Sequence, residues 1–270
     1  MNDAVEIPES LVSANPALGP WAVLVGYRGS VAHGTYVPNT DPASIDDIDL
    51  MALCVPDESH YFGLEEFGSR GTQEIVDDPW DIVAYEVRKA VSLLLKGNPN
   101  VLSMLWLPED LYTRRTPAGD LLIDNRDAFV GSHVYEAYVG YAMSQLRQME
   151  RVDHAGYMGP KRRRLVERFG YDCKNASHLI RLLRQCIEFL DTGELEVLRT
   201  DADELVAIKR GAWPLERVKD EANRLFRLAE EARDRSTLPT RPETEKAGEL
   251  CVEVVRTALA ARRSTEPAVI

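Results

Sequence analysis

A Gly-Ser turn at Gly29-Ser30, followed by Asp47-Ile48-Asp49 at the entry to an apolar run, constrains this chain more than any other stretch. Residues 21–25 are apolar and end at Gly26, as a buried strand does; residues 49–55 form a second apolar run stopped by Pro56. Residues i and i+2 of a strand point to one face, so Asp47 and Asp49 project together. Two like charges held that close repel each other, and a cation is the simplest reason to keep both. Hard divalent cations with oxygen ligands, Mg²⁺ above all, suit such a pair, and Mg²⁺ usually keeps phosphate oxygens among its ligands. The front of the chain therefore reads as part of an enzyme that handles a nucleoside triphosphate.

The rest of the pattern sets the fold class. Ser30 is placed to cap a short helix over 31–33, whose amides would face an anion. Residues 35–44, rich in Pro, Asn, Thr and Asp, read as a loop, and residues 80–85 as a third strand. A helix is expected over 87–96, ended by Gly97, and another begins at Asn98-Pro99 with Asn as cap and Pro at the first helical position. Beyond about residue 115 strand signals vanish. Helices are expected over 133–151, 174–190, 215–235 and 243–263, with a proline-marked connector at 238–242. The helix over 174–190 carries the clearest apolar stripe, Leu179, Leu183, Cys186 and Leu190. The expected architecture is α/β (α+β): a small mixed-sheet catalytic domain over 1–115 and an α-helical domain over 116–270 that closes on substrate or nucleotide.

Charge is distributed unevenly along the 270 residues. The net charge of −12 argues against a nonspecific nucleic-acid binder, yet residues 1–60 carry nine acidic side chains against Arg28 alone. Residues 160–185 carry eight basic side chains against Glu167 and Asp172. A carboxylate-rich front and a basic later patch are complementary parts of a polyanion-handling site, or else two solvated faces. The cluster Lys161 to Arg164 is likewise either a phosphate-backbone contact or a solubilising surface. Cys54, Cys173, Cys186 and Cys251 have no metal-like spacing, which points to a reduced, cytoplasmic protein. No apolar run is long enough for a membrane span, and residues 1–20 lack a signal pattern.

The chemistry gathers on a few residues. Gly29 and Ser30 offer amides and a hydroxyl to phosphate oxygens. Asp47 and Asp49 would hold metal, and Asp81, at the start of the third strand, adds a carboxylate from a neighbouring strand. Two metals on three carboxylates can clamp both oxygens of an in-line displacement at phosphorus, with Asp81 as base toward the acceptor hydroxyl. Glu86 has the opposite strand parity and reads as a helix start. His33 could touch a phosphate or merely cap its turn. His60, His133 and His154 show no ligand spacing; Cys54, Tyr85 and Trp106 read as packing residues.

At these positions the chain resembles the nucleotidyltransferase superfamily named for DNA polymerase β: a Gly-Ser turn, an Asp-x-Asp strand and a third acidic residue on a later strand. The closer resemblance is to the YcgL/RlaP-type nucleotidyltransferases linked with RNA repair. It is carried by Gly29-Ser30-Val31-Ala32-His33-Gly34-Thr35, Asp46-Asp47-Ile48-Asp49, Tyr61-Phe62-Gly63-Leu64, Asp81-Ile82-Val83-Ala84-Tyr85-Glu86 and Lys96-Gly97-Asn98-Pro99-Asn100. It continues through Gly170-Tyr171-Asp172-Cys173-Lys174-Asn175-Ala176-Ser177-His178-Leu179-Ile180-Arg181-Leu182 and Ile208-Lys209-Arg210-Gly211. Sixteen residues separate Ser30 from Asp47, a few more than the generic pattern, and Asp46 replaces an apolar residue. Parity with Asp49 selects Asp47 as the first of the pair and leaves open whether Asp46 contributes to the metal site.

Lys174, His178 and Arg181, at i, i+4 and i+7, form a polar stripe opposite the apolar one. The resemblance implies that such a stripe, with Arg210 as a further candidate, faces the nucleotide across the cleft. It also implies an Mg²⁺-dependent (or Mn²⁺-dependent) nucleotidyltransferase, a transferase of phosphorus-containing groups, that binds ATP or another NTP. Such an enzyme moves an NMP to a hydroxyl and releases pyrophosphate. The expected acceptor is an RNA end, possibly of tRNA; a small-molecule or protein hydroxyl and a non-catalytic nucleotide-binding regulator are the alternatives. Oligomeric state is not legible.

Overall fold

The computed structural model describes residues 7–38, 40–41, 44, 46–150 and 160–265. His154, Arg151 and the side chain of Lys161 lie outside the described residues. The first half runs α1 (Glu9–Ala14), β1 (Ala22–Tyr27), α2 (Gly29–Ala32), β2 (Ile48–Cys54), α3 (Ser59–Phe62), β3 (Thr72–Asp77), β4 (Trp80–Glu86), α4 (Val87–Leu94), α5 (Pro99–Ser103) and β5 (Tyr112–Arg115). The strands form one mixed sheet in the order β3-β4-β2-β1-β5. β2 and β4 are parallel, and the other neighbouring pairs are antiparallel. Every residue of β1 is buried, as its unbroken apolar run requires of a central strand.

The strand does not stop at Gly26. That residue lies inside β1, where a Cβ would come within 2.6 Å of Leu107 Cδ2, so its small size serves packing. Strands β3 and β5 were not expected from the sequence. Both are short edge strands with mostly polar, half-exposed residues, which blunts the hydrophobic pattern. Asn98 caps α5 as expected, accepting from the amides of Asn100 and Val101. Glu86 ends β4 and caps α4 through Arg88 N.

The second half is helical: α6 (Pro117–Asp124), α7 (Val134–Glu150), α8 (Pro160–Phe169), α9 (Cys173–Thr192), α10 (Ala202–Lys209), α11 (Leu215–Arg235) and α12 (Thr244–Thr265). Helix α9 is the axis of this half, packed against α7, α10 and α11. Asp172 caps it by accepting from the amides of Lys174 and Asn175, and Gly193 ends it at φ +75°. Helix α12 returns to pack on α6 and α4, so one hydrophobic core runs from Leu11 to Val254. Among the described residues, no helix is long and apolar enough to cross a membrane.

Candidate active site

The parallel register of β2 and β4 sets Asp49 directly beside Asp81. Residues paired this way across neighbouring strands share a face. Asp47 lies exposed just ahead of β2, two residues before Asp49. The Arg28 guanidinium approaches both strand carboxylates, 3.4 Å from Asp49 Oδ1 and 3.3 Å from Asp81 Oδ1. Burial pushes the Asp49 carboxyl up to about 6. Arg28 and Lys174 oppose that rise, and the charges of Asp81 and Asp47 reinforce it. Among the described residues, no three His, Cys, Asp or Glu side chains are already drawn together as a cation cage. The donor chemistry nevertheless fits a hard cation: three carboxylates supply only oxygens, two of them in strand register. Gly29, at φ +60°, leaves room for the Asp49 carboxylate, since a Cβ there would stand 2.3 Å from Asp49 Oδ2.

Asp46 has a different task. It is 2% exposed; its Oδ2 accepts from Val37 N at 2.9 Å and from Lys209 Nζ at 2.6 Å, while Lys174 Nζ stands 3.7 Å from Oδ1. These bonds turn Asp46 toward α10 and fasten the loop before β2 to the helical half.

A cavity of about 310 Å³ opens between the halves, lined on the sheet side by Arg28, Gly29, Ser30, His33 and Asp49. Helix α9 contributes Lys174, His178 and Arg181 to the same cavity. Ser30 lies within α2 and does not cap it: Arg28 holds the cap position, and the buried Ser30 Oγ has no hydrogen-bond partner among the described residues. A buried hydroxyl without a partner is the kind of group a ligand satisfies. His33 Nδ1 donates to Val197 O at 2.9 Å. Burial holds both His33 and His178 well below the usual imidazole range, and the Arg181 charge adds to this. Both rings are therefore neutral near pH 7.

Arg181 is 6% exposed, and burial lowers it to about 10. It donates to Gln185 Oε1 at 2.6 Å and to His178 Nδ1 at 3.5 Å, with no carboxylate partner among the described residues. A buried cation in that condition calls for an anion. The expected α9 stripe thus lines the same cavity as Gly29, Ser30, His33 and Asp49. Asp81 pairs with Arg28 but does not itself line the cavity, Asp47 is exposed and is not among the lining residues either, and Arg210 is elsewhere. Its half-exposed side chain donates to Asp41 Oδ2 at 2.7 Å, outside the cavity wall.

Sequence reasoning gave no site role to Lys209, the neighbour of Arg210. Burial lowers its ammonium, which donates to Thr35 O at 2.5 Å as well as to Asp46, and it lines a small chamber beside Ser30, His33, His178 and Arg181. Arg28 was likewise missed, although it is the lone Lys or Arg among the first 60 residues. Tyr141, Gln145 and Gln148 of α7, spaced i, i+4 and i+7, make a neutral polar wall with Asn100, and no simple motif announces them. Arg162 lines the same cavity and is held by Asp172 Oδ2 at 2.8 Å and Asn175 Oδ1 at 2.9 Å.

Comparison with known proteins gives one family match, to the model described as RlaP, the RNA repair pathway DNA polymerase beta family, over residues 21–253. No curated protein matches the chain.

Proposed function

The chain belongs to the RlaP family, the RNA repair pathway DNA polymerase beta family, and from that premise we propose that it is a divalent-cation-dependent nucleotidyltransferase. It moves an NMP from an NTP to a hydroxyl at an RNA end and releases pyrophosphate. One observation carries this reading: Asp49, in strand register with Asp81, lines a cavity together with Lys174 and with Arg181, an arginine that has no carboxylate partner among the described residues.

Each side chain has a task in that reaction. Asp47, Asp49 and Asp81 would hold Mg²⁺, or Mn²⁺ in its place, which when bound supplies charge neutralisation on the phosphate oxygens. Ser30 Oγ and the Gly29 backbone meet the triphosphate, with Lys174 and Arg181 supplying positive charge from α9. Neutral His178 keeps Nε2–H as a donor while its Nδ1 accepts from Arg181. Asp81 is the most accessible of the carboxylates that Arg28 touches, with a side chain 46% exposed, and takes the acceptor hydroxyl's proton. As the acceptor oxygen bonds to the α-phosphorus, the bond to the bridging oxygen breaks and pyrophosphate carries away that electron pair. The neutral wall of Tyr141, Gln145, Gln148 and Asn100 receives the base.

The basic helix α8 favours RNA as the acceptor: Arg163, Arg164 and Arg168 are exposed on the element whose Arg162 lines the cavity. The net charge of −12 favours the second reading, a small-molecule or protein hydroxyl. The four unpaired thiols fit a reducing cytoplasm. Pyrophosphate release from each NTP in Mg²⁺, with and without added RNA, tests the proposal. RNA-stimulated release is expected. Release stimulated only by small hydroxyl compounds would transfer support to the second reading, and no release under either condition would contradict both.

A further inference from the structure

Arg28 sits where a cation is wanted and also lines the cavity where a triphosphate is wanted. Its backbone is extended, at φ −130° and ψ −176°, and its amide donates to Asp49 O at 3.0 Å, which fixes the start of the side chain. The guanidinium then donates through Nε to Leu50 O at 3.2 Å and through one terminal nitrogen to Asp81 Oδ1 at 3.3 Å. That nitrogen is also 3.4 Å from Asp49 Oδ1. One nitrogen therefore stands against an oxygen of each of the two strand carboxylates that would hold a metal, so the guanidinium would compete with a metal ion for those groups.

We propose that Arg28 is a built-in counter-ion for Asp49 and Asp81 that gives up their oxygens on divalent-cation binding and then binds the triphosphate. The inference rests on the nucleotidyltransferase reading and adds a coupling to it. Without a cation, Arg28 prevents two facing carboxylates from repelling each other. The side chain is only a quarter exposed and is anchored at its backbone, so a released guanidinium remains at the cavity with Ser30, Lys174 and Arg181. Its planar fork suits phosphate oxygens as well as it suits carboxylates. Cation entry and polyphosphate capture then favour each other, because the first frees a donor for the second.

The coupling predicts opposite changes in two affinities, which a merely structural arginine would not produce. Mn²⁺ binding is measured alone by electron paramagnetic resonance, and inorganic triphosphate binding is measured in saturating Mn²⁺ by calorimetry. Both use the full chain and its Arg28→Gln variant. The variant should bind Mn²⁺ about threefold more tightly, the scale of a partly exposed competing ion pair. It should bind triphosphate about tenfold more weakly, the scale of a lost charge-assisted hydrogen bond. Arg28→Lys, which keeps the charge without the fork, should recover part of both changes and serves if the Gln variant does not fold. Weaker or unchanged Mn²⁺ binding in a folded Arg28 variant, with binding abolished in Asp49→Asn, overturns the coupling alone. No Mn²⁺ binding by the unaltered chain, or binding indifferent to Asp49→Asn, overturns the metal-site reading and the coupling with it.

Discussion

Ser30 separates what holds this protein together from what it does. Its buried Oγ has no partner among the described residues, so it adds no hydrogen bond to the fold and is available to a ligand. Ser30→Ala should change stability by less than about 0.5 kcal/mol in urea unfolding. The same change should weaken inorganic triphosphate binding about tenfold, the loss of one hydrogen bond to a charged group. Equal triphosphate affinity in the variant would remove Ser30 from the site. At this scale the sequence was readable where chemistry and local pattern coincide. Gly29, Ser30 and Asp49 share a cavity with a helix stripe that spacing alone marks as an exposed face and that only the family resemblance turns toward the nucleotide. Arg28 was not readable, because its meaning depends on the pairing of Asp49 with Asp81 across two strands. Lys209 was passed over for Arg210 because only the folded loop reveals which of two adjacent bases faces Asp46.

Helix α10 and the loop before β2 show how elements position the site. Lys209 and Asp46 are both buried, and their ion pair joins parts of the chain 163 residues apart. Removing one partner strands the other charge, so Asp46→Asn should cost about 3 kcal/mol of stability. Exposed Asp47→Asn should stay within about 0.5 kcal/mol. Equal losses in paired urea titrations would refute the division of labour between these adjacent aspartates. Elements with caps and strong periodicity were legible: Asn98 announces α5, and α11 runs over the expected 215–235. Helix α6 also carried a signal, Thr116 as cap with Pro117 at the first position, which the hydrophobic pattern obscured. Strands β3 and β5 were hidden because edge strands need no apolar face on the solvent side.

Over the whole molecule, Asp49 of the acidic front lines one cavity with Arg162, Lys174 and Arg181 of the basic later segment, so the net charge of −12 conceals a local attraction for phosphate. RNA binding should weaken with salt, and Arg164→Gln with Arg168→Gln should each reduce the logarithmic salt slope by about 0.7, the single-strand value per phosphate contact. An unchanged slope would place the RNA path away from α8. The composition showed the asymmetry; that residues of both poles line one cavity required the fold, since α9 reaches the sheet only through packing of the helical half. The most direct test of the central claim is transfer of label from an α-phosphate-labelled NTP to RNA in Mg²⁺, comparing the unaltered chain with a folded Asp47→Asn, Asp49→Asn double variant. The account predicts labelled RNA with the first and a loss of at least about a hundredfold with the second, the scale of removing electrostatic stabilisation from a transition state. Full labelling by the double variant would contradict it.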